Sequence, residues 1–296
     1  MTKAVMLSDS IEEASLQFER ADLFYGHGTD NPWDEAVYLV FSALGISFQE
    51  DGSVMSRIVT PEQQRVIAGL VDRRINERIP VAYLVGEAWF AGLPFKVDAR
   101  VLIPRSPIAE LIADRFEALL PEEPRRILDL CTGSGCIGIA CALAFPEAGV
   151  DLADISEDAL SLACENVSRH RVEGRVNVLQ SDLFAQMQPG YDLIVTNPPY
   201  VSREEVDELP SEYRHEPELG LVSEDDGLDI PVQILRQAAT FLNDGGVLIM
   251  EVGYSWTALA DRLPHVPFLW LEFANGGEGV CMLTKAQLQQ ITYPDV

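Results

Sequence analysis

The sequence predicts an α/β fold: a mostly parallel seven-stranded sheet with helices on both faces and a C-terminal antiparallel hairpin, preceded by a small helical domain. Three observations predict it. From Arg125 onward, short apolar runs alternate with amphipathic stretches, the pattern of strands joined by crossover helices. Before residue 86, apolar residues recur at three- and four-residue spacing behind helix-capping residues. Near the end, Asn275-Gly276-Gly277 separates two strand-like runs and so predicts a hairpin with one antiparallel strand at the sheet edge.

Taken in order, Asn31-Pro32 reads as an N-cap followed by a proline in the first turn. Trp33, Ala36, Val37, Val40, Phe41 and Leu44 then form a stripe that Gly45 ends. Thr60-Pro61-Glu62-Gln63 is a capping box, followed by the stripe Val66, Ile67, Leu70, Val71 and Ile75 and closed by Pro80. These stripes predict a helical bundle over residues 1–85. Gly86, Gly92 and Pro94 punctuate Trp89-Phe90, Phe95-Lys96-Val97 and Val101-Leu102-Ile103, which predicts a β-hairpin linker over 86–104. Ser106-Pro107 opens a further helix, and residues 105–296 form the α/β domain. Its strands are predicted at 127–130, 150–154, 176–179, 191–195, 247–251, 267–273 and 279–284. Helices are predicted at 135–144, after Ser156, and at 228–242.

The chain has 296 residues, enough for one large domain and a small one, and its 47% hydrophobic and 23% charged residues are the balance of a soluble globular protein. Forty-seven acidic against 21 basic residues give a net charge of −26, which disfavours a surface that wraps a phosphate backbone. Neither a membrane span nor the long apolar core of a signal peptide is present, and five cysteines argue against a disulfide framework; a cytoplasmic location is expected. Cys131, Cys136 and Cys141 lack zinc or iron–sulfur spacing, so no metal is expected. The four histidines (27, 170, 215 and 265) lie outside the motifs below, where structural roles suit them better than catalytic ones.

Asp129-Leu-Cys131-Thr132-Gly133-Ser134-Gly135-Cys136-Ile137-Gly138 lies between the first strand of the sheet and its helix, where glycines let backbone N–H groups approach a ligand. Asp154 ends the next strand, where a carboxylate can accept hydrogen bonds from both ribose hydroxyls. The spacing also satisfies the dinucleotide fingerprint, so a nicotinamide dehydrogenase stands as an alternative. Two features favour S-adenosylmethionine. Asp129 precedes the glycines, where a cationic aminoacyl group is held better than a pyrophosphate, and Asp182, followed by Leu183, offers an acceptor to adenine.

Asn197-Pro198-Pro199-Tyr200 follows the fourth strand, at the carboxyl edge where open α/β sheets bind ligands. The prolines stiffen the loop. The Asn197 side-chain oxygen and the Pro198 carbonyl can each accept one hydrogen of a planar –NH₂ group, with the Tyr200 ring against its plane. An amide nitrogen is a poor nucleophile because its lone pair is delocalised. Holding both hydrogens frees that lone pair to meet a methyl donor in line, and no dedicated base is needed.

With both motifs present, the chain resembles the HemK-type glutamine methyltransferases over nearly its whole length. The resemblance implies a Rossmann-like class I S-adenosylmethionine methyltransferase fold and methylation of a glutamine side-chain amide in a protein. It implies cofactor binding by the glycine-rich loop Thr132–Gly135, Asp154, Leu183 and Asn197, and substrate binding by Asn197, Pro198, Pro199 and Tyr200. The same four-residue motif occurs in adenine and cytosine amino-methyltransferases, which leaves a nucleic-acid substrate as an alternative. Leu102-Ile103-Pro104-Arg105 is shared by two branches of the family. The continuation Ser106-Pro107-Ile108-Ala109-Glu110, the stretch His215–Leu221 and the ending Trp270–Val280 resemble the branch acting on large-subunit ribosomal protein three rather than the release-factor branch. A basic ribosomal protein is thus the implied partner, gripped by the helical domain. Residues 203–229 hold eleven acids and two arginines, a net of −9, and either steer that partner or form a solvated loop.

Overall fold

The computed structural model describes residues 4–293 and contains two compact units. The first comprises Met1–Ala88 together with Pro210–His215, and the second Trp89–Leu209 and Glu216–Val296. The first unit therefore recruits a short segment from far along the chain, which no contiguous reading of the sequence supplies.

In the first unit, α1 (Leu7–Arg20) buries Leu7, Ile11, Ala14 and Phe18, one face at helical spacing. Helix α2 (Pro32–Leu44) starts where Asn31 accepts a hydrogen bond from the Asp34 amide (2.9 Å) and stops at left-handed Gly45. Helix α3 (Pro61–Asn76) carries the capping box, Thr60 and Gln63 bonding each other's amides at 3.3 and 3.0 Å. A one-turn helix α4 (Val81–Val85) follows. Trp33 and Val66, both expected in the core, are exposed. Trp33 lies in the first turn of its helix, and Val66 is rotated by about 100° from the buried stripe of Ile67 and Val71. The next position on that stripe holds Arg74, which is 1% exposed and ion-paired with Glu35 and Glu212.

Strands β1 (Glu87–Phe90) and β2 (Leu93–Lys96) form the predicted hairpin, but Val101-Leu102-Ile103 is not a strand. The Ile103 amide is spent on the Glu216 carboxylate (3.0 Å) instead of a ladder partner. Helix α5 (Ile108–Ala113) then leads to β3 (Arg126–Leu130), α6 (Cys136–Ala144), β4 (Gly149–Asp154), α7 (Glu157–His170), β5 (Val176–Gln180) and β6 (Tyr191–Thr196). After β6 come α8 (Arg203–Glu208), α9 (Asp229–Phe241), β7 (Leu242–Glu251), α10 (Trp256–Arg262), β8 (Leu269–Trp270), β9 (Val280–Thr284) and α11 (Lys285–Leu288).

The seven-stranded sheet has the order β5-β4-β3-β6-β7-β9-β8, with the first five strands parallel. Two details differ from expectation. Strand β9 is antiparallel and sits between β7 and β8, so the antiparallel strand is internal and the two-residue β8 forms the edge. The connection is a loop over 271–279 rather than a tight turn, because Glu110 accepts hydrogen bonds from the Ala274 and Asn275 amides (both 2.9 Å) and holds it open.

Parallel strands buried on both faces read as continuous apolar runs, as Ile127-Leu128 and Leu193-Ile194-Val195 do here. One apolar core lies between the sheet and α5, α6 and α7, and the other between the sheet and α9, α10 and α11. The chain leaves β3 for β4 on one side and reaches β6 on the other, so a crevice opens at the carboxyl ends of β3 and β6.

Candidate active site

The loop from β3 to α6 is built by a carboxylate that lies under it. Asp129 is fully buried, and its Oδ2 accepts hydrogen bonds from the Thr132 hydroxyl (2.5 Å) and the Gly138 amide (2.8 Å). Its Oδ1 has no partner, and burial, against these two hydrogen bonds, pushes its carboxyl up to about 7. Asp129 thus shapes the loop from below and is not on the wall of the cavity above it. Gly135, in the left-handed region at φ 81°, ends the loop and starts α6. A neighbouring support escapes the sequence motifs: the buried Asn166 amide donates to the carbonyls of Ser134 (2.9 Å) and Lys96 (3.0 Å).

Gly138 has no room for a side chain, since a Cβ there would stand 2.1 Å from a Leu152 methyl and 2.8 Å from the Asp129 Cβ. Gly138→Ala should therefore destabilise the fold by about 1–3 kcal/mol, read as a lowered denaturation midpoint. An unchanged midpoint would mean that the loop's base is looser than its packing implies.

Above the loop lies a cavity of about 210 Å³. Its wall takes Cys131, Thr132, Gly133 and Ser134 from the loop, Asp154 from the end of β4, Asp182 and Leu183 after β5, and Asn197 and Pro199 after β6. Asp154 is oriented by the backbone, one oxygen accepting from the Gly133 amide (2.8 Å) and the other from the Ser156 amide (3.0 Å). Burial raises its pKa, which those amides oppose. Leu183 adopts φ 45°, in a turn where the Ser181 hydroxyl donates to the Leu183 carbonyl (2.6 Å). Burial and the Asp154 and Asp129 charges push the Cys131 thiol far up, away from the thiolate that a nucleophile needs.

Of the sequence-predicted residues, Asp129, Gly135, Pro198 and Tyr200 are not in the wall. Pro198 is buried, and Tyr200 is half-buried, its phenol donating to Glu251 (3.3 Å). The reacting loop is anchored on both sides. Before it, the Thr196 hydroxyl donates to the Leu130 carbonyl (2.7 Å). After it, the Val201 amide donates to the Leu221 carbonyl and the Ser223 amide to the Val201 carbonyl (both 2.9 Å).

Leu102, Pro104 and Arg105, with Pro217, Leu219 and Gly220, line the same cavity, and an ion pair joins the two segments. Arg105 donates through both terminal nitrogens to Glu216 (2.6 and 2.8 Å), whose carboxylate is buried. The acidic run is therefore less of a free charge than its count suggests. Glu212 and Glu216 are buried in ion pairs, Glu218 and Glu224 meet Arg203, and Asp225 meets Arg262; Glu204, Asp207 and Glu208 are exposed on α8. The histidines lie elsewhere: His170 bonds the Pro94 carbonyl, His215 the Glu77 carbonyl and His265 the Thr292 hydroxyl, while His27 packs on Tyr213. Among the described residues, no cluster of histidine, cysteine and carboxylates suits a metal ion, and no helix is long and apolar enough to cross a membrane.

Comparison with known proteins agrees with this fold. The methyltransferase small domain family matches residues 109–211. The ribosomal protein uL3 glutamine methyltransferase of Xanthomonas campestris pv. campestris is 50% identical over 275 residues, 92% of this chain and 89% of the relative. Its counterpart from Francisella tularensis subsp. tularensis is 42% identical over 292 residues, 98% of this chain and 92% of the relative. Among solved structures, the hMettl16 catalytic domain in complex with MAT2A 3′UTR hairpin 1 superposes with a TM-score of 0.52 at 17% identity, covering 81% of this chain and 86% of that one, a likeness of fold alone. With its parallel sheet, glycine-rich loop and matching relatives over nearly its whole length, the chain belongs to the ribosomal protein uL3 glutamine methyltransferase family.

Proposed function

We propose that this chain transfers a methyl group from S-adenosylmethionine to the side-chain amide nitrogen of a glutamine in ribosomal protein uL3. The observation that carries this reading is that the glycine-rich loop, Asp154, Leu183 and Asn197 all face one cavity at the carboxyl edge of the sheet. The residues present suit the cofactor. Asp154 is fixed by backbone amides that leave lone pairs for ribose hydroxyls, and the buried, unpartnered Asp129 Oδ1 favours a positive group above the loop. When bound, S-adenosylmethionine supplies the methyl group as an electrophile on a cationic sulfur.

The chain's own part is to hold the amide. Asn197 reaches the cavity from a loop stiffened by two prolines, and its side-chain oxygen accepts one amide hydrogen while the Pro198 carbonyl accepts the other. With both hydrogens held, the nitrogen lone pair, otherwise delocalised into the carbonyl, is directed at the methyl donor. The nitrogen sheds one proton to solvent once methylated. The exposed acids of α8, close behind the reacting loop in sequence, attract a basic substrate at low salt.

Incubating the protein with S-adenosylmethionine and uL3, then sequencing the product by mass spectrometry, tests the reading. One methylated glutamine in uL3, with none in a release factor and no label on an oligonucleotide, is the expected result. Labelling of the release factor or the oligonucleotide in place of uL3 would refute it.

A further inference from the structure

Glu251, the last residue of β7, is only 6% exposed, and each of its oxygens receives a hydroxyl. Oε2 accepts from the Ser106 hydroxyl at 2.5 Å, and Oε1 from the Tyr200 phenol at 3.3 Å. Ser106 is fixed in turn, because its oxygen accepts the Ile108 amide (3.2 Å). At the other end of the same tyrosine, the Ser255 hydroxyl donates to the Tyr200 carbonyl at 2.8 Å. The ring lies on Gly253, where a Cβ would come within 2.6 Å of it, and Gly227 backs onto the Tyr200 carbonyl, where a Cβ would come within 2.2 Å. Tyr200 is therefore held at backbone, ring face and phenol.

A carboxylate is a costly way to fill that space. Burial raises the Glu251 pKa, opposed by the Ser106 and Tyr200 hydrogen bonds and by the Arg105 charge, whereas an apolar side chain of similar volume would carry no such cost. What the carboxylate adds is direction, since it fixes where the phenol points and hence how the ring, three residues after Asn197 along the loop, is set on Gly253.

We propose that Glu251 is a positioning residue for glutamine methylation, receiving the Tyr200 phenol and the Ser106 hydroxyl and so fixing the Tyr200 ring that completes the amide-holding loop. The proposal rests on the reading of Asn197-Pro198-Pro199-Tyr200 as the amide holder. The test uses the full chain with uL3 and S-adenosylmethionine, measuring kcat, KM for uL3, cofactor affinity by calorimetry and the melting temperature. The variants are Glu251→Gln, Tyr200→Phe, the double variant and Asn197→Ala.

Glu251→Gln offers one acceptor where two donors converge, so kcat should fall about tenfold or more, the scale of one lost hydrogen bond to a charged group. KM for uL3 and cofactor affinity should stay within roughly twofold. Tyr200→Phe should do the same, and the double variant should be no slower than the slower single variant. Three results overturn the proposal: wild-type kcat in Glu251→Gln, multiplication of the two losses in the double variant, or loss of cofactor affinity and melting temperature together with kcat. If Glu251→Gln does not fold, Tyr200→Phe decides: full turnover overturns the proposal, and reduced kcat with KM unchanged upholds it. Turnover surviving in Asn197→Ala would instead sink the reading of the loop itself, so the two failures are distinguishable.

Discussion

Replacing Asn197 with alanine should lower turnover by at least a hundredfold, about 3 kcal/mol or more of transition-state stabilisation, by comparison with the removal of one donor from an oxyanion hole. The side chain stands at the carboxyl end of β6, half-buried, in the wall of the cavity. The loop that carries it does not depend on it for shape. Thr196 anchors one side through Leu130, Val201 and Ser223 anchor the other, and Ser255 holds the Tyr200 carbonyl. The alanine variant should therefore melt with the wild type while its kcat collapses. On the proposed role, in which the Asn197 oxygen meets the reacting amide alone, its KM for uL3 should change far less. Steady-state kinetics and thermal denaturation on the same preparation separate the two effects. Wild-type turnover in a folded Asn197→Ala protein would remove the acceptor role, and loss of turnover only through loss of fold would make the residue structural.

The features legible in the sequence are those whose physics is local. Asn31 with Pro32, Thr60 with Gln63, and Ser156 announce helix starts because a cap bonds an amide three residues away. Asp154 and Asn197 are legible because the alternation of strands and helices already delivers strand ends to one edge of the sheet. What escapes is set by partners far along the chain. Glu251 and Ser106 are 145 residues apart and meet only once β7 is in the sheet; Asn166 supports the glycine-rich loop from 32 residues beyond Ser134. Asp129 is legible as the acid before the glycines, but not its burial under the loop, where the Gly138 amide bonds it and Gly138 leaves space for it. The reversed order of β8 and β9 escaped for a similar reason. A turn signal says that the chain reverses, not which of the two strands pairs with β7.

Replacing Arg74 with methionine should destabilise the unit of α1, α2 and α3 by about 3–5 kcal/mol, the scale for leaving buried charge uncompensated. Arg74 stands on the buried stripe of α3, where the sequence pattern calls for an apolar side chain, and every arm of its guanidinium is used. Nε meets Glu35, Nη1 meets Glu212 at 3.1 Å, and Nη2 donates to the Phe24 carbonyl at 2.8 Å. Glu35 also receives the Thr29 hydroxyl (2.9 Å), and Glu212 the Phe24 amide (3.1 Å). Burial works against the Glu212 charge, but these hydrogen bonds and the guanidinium outweigh it and hold the carboxyl below the ordinary range. A depressed carboxylate contributes stability that is present above its unfolded-state pKa and lost as pH falls through the folded-state value. Methionine reverses this sign for Glu212, because its buried carboxylate then keeps, of its cations, only the longer contact with Arg78 (3.7 Å) and is better protonated. The deficit of Arg74→Met should accordingly be largest near neutral pH and shrink towards about pH 5, where Glu212 of the mutant takes up a proton and that of the wild type does not. Urea denaturation of the full chain at both pH values reads this directly. A deficit independent of pH would mean that Arg74 acts through its packing alone, and the triple replacement of Glu35, Arg74 and Glu212 by apolar residues would then recover no more than the packing change it makes.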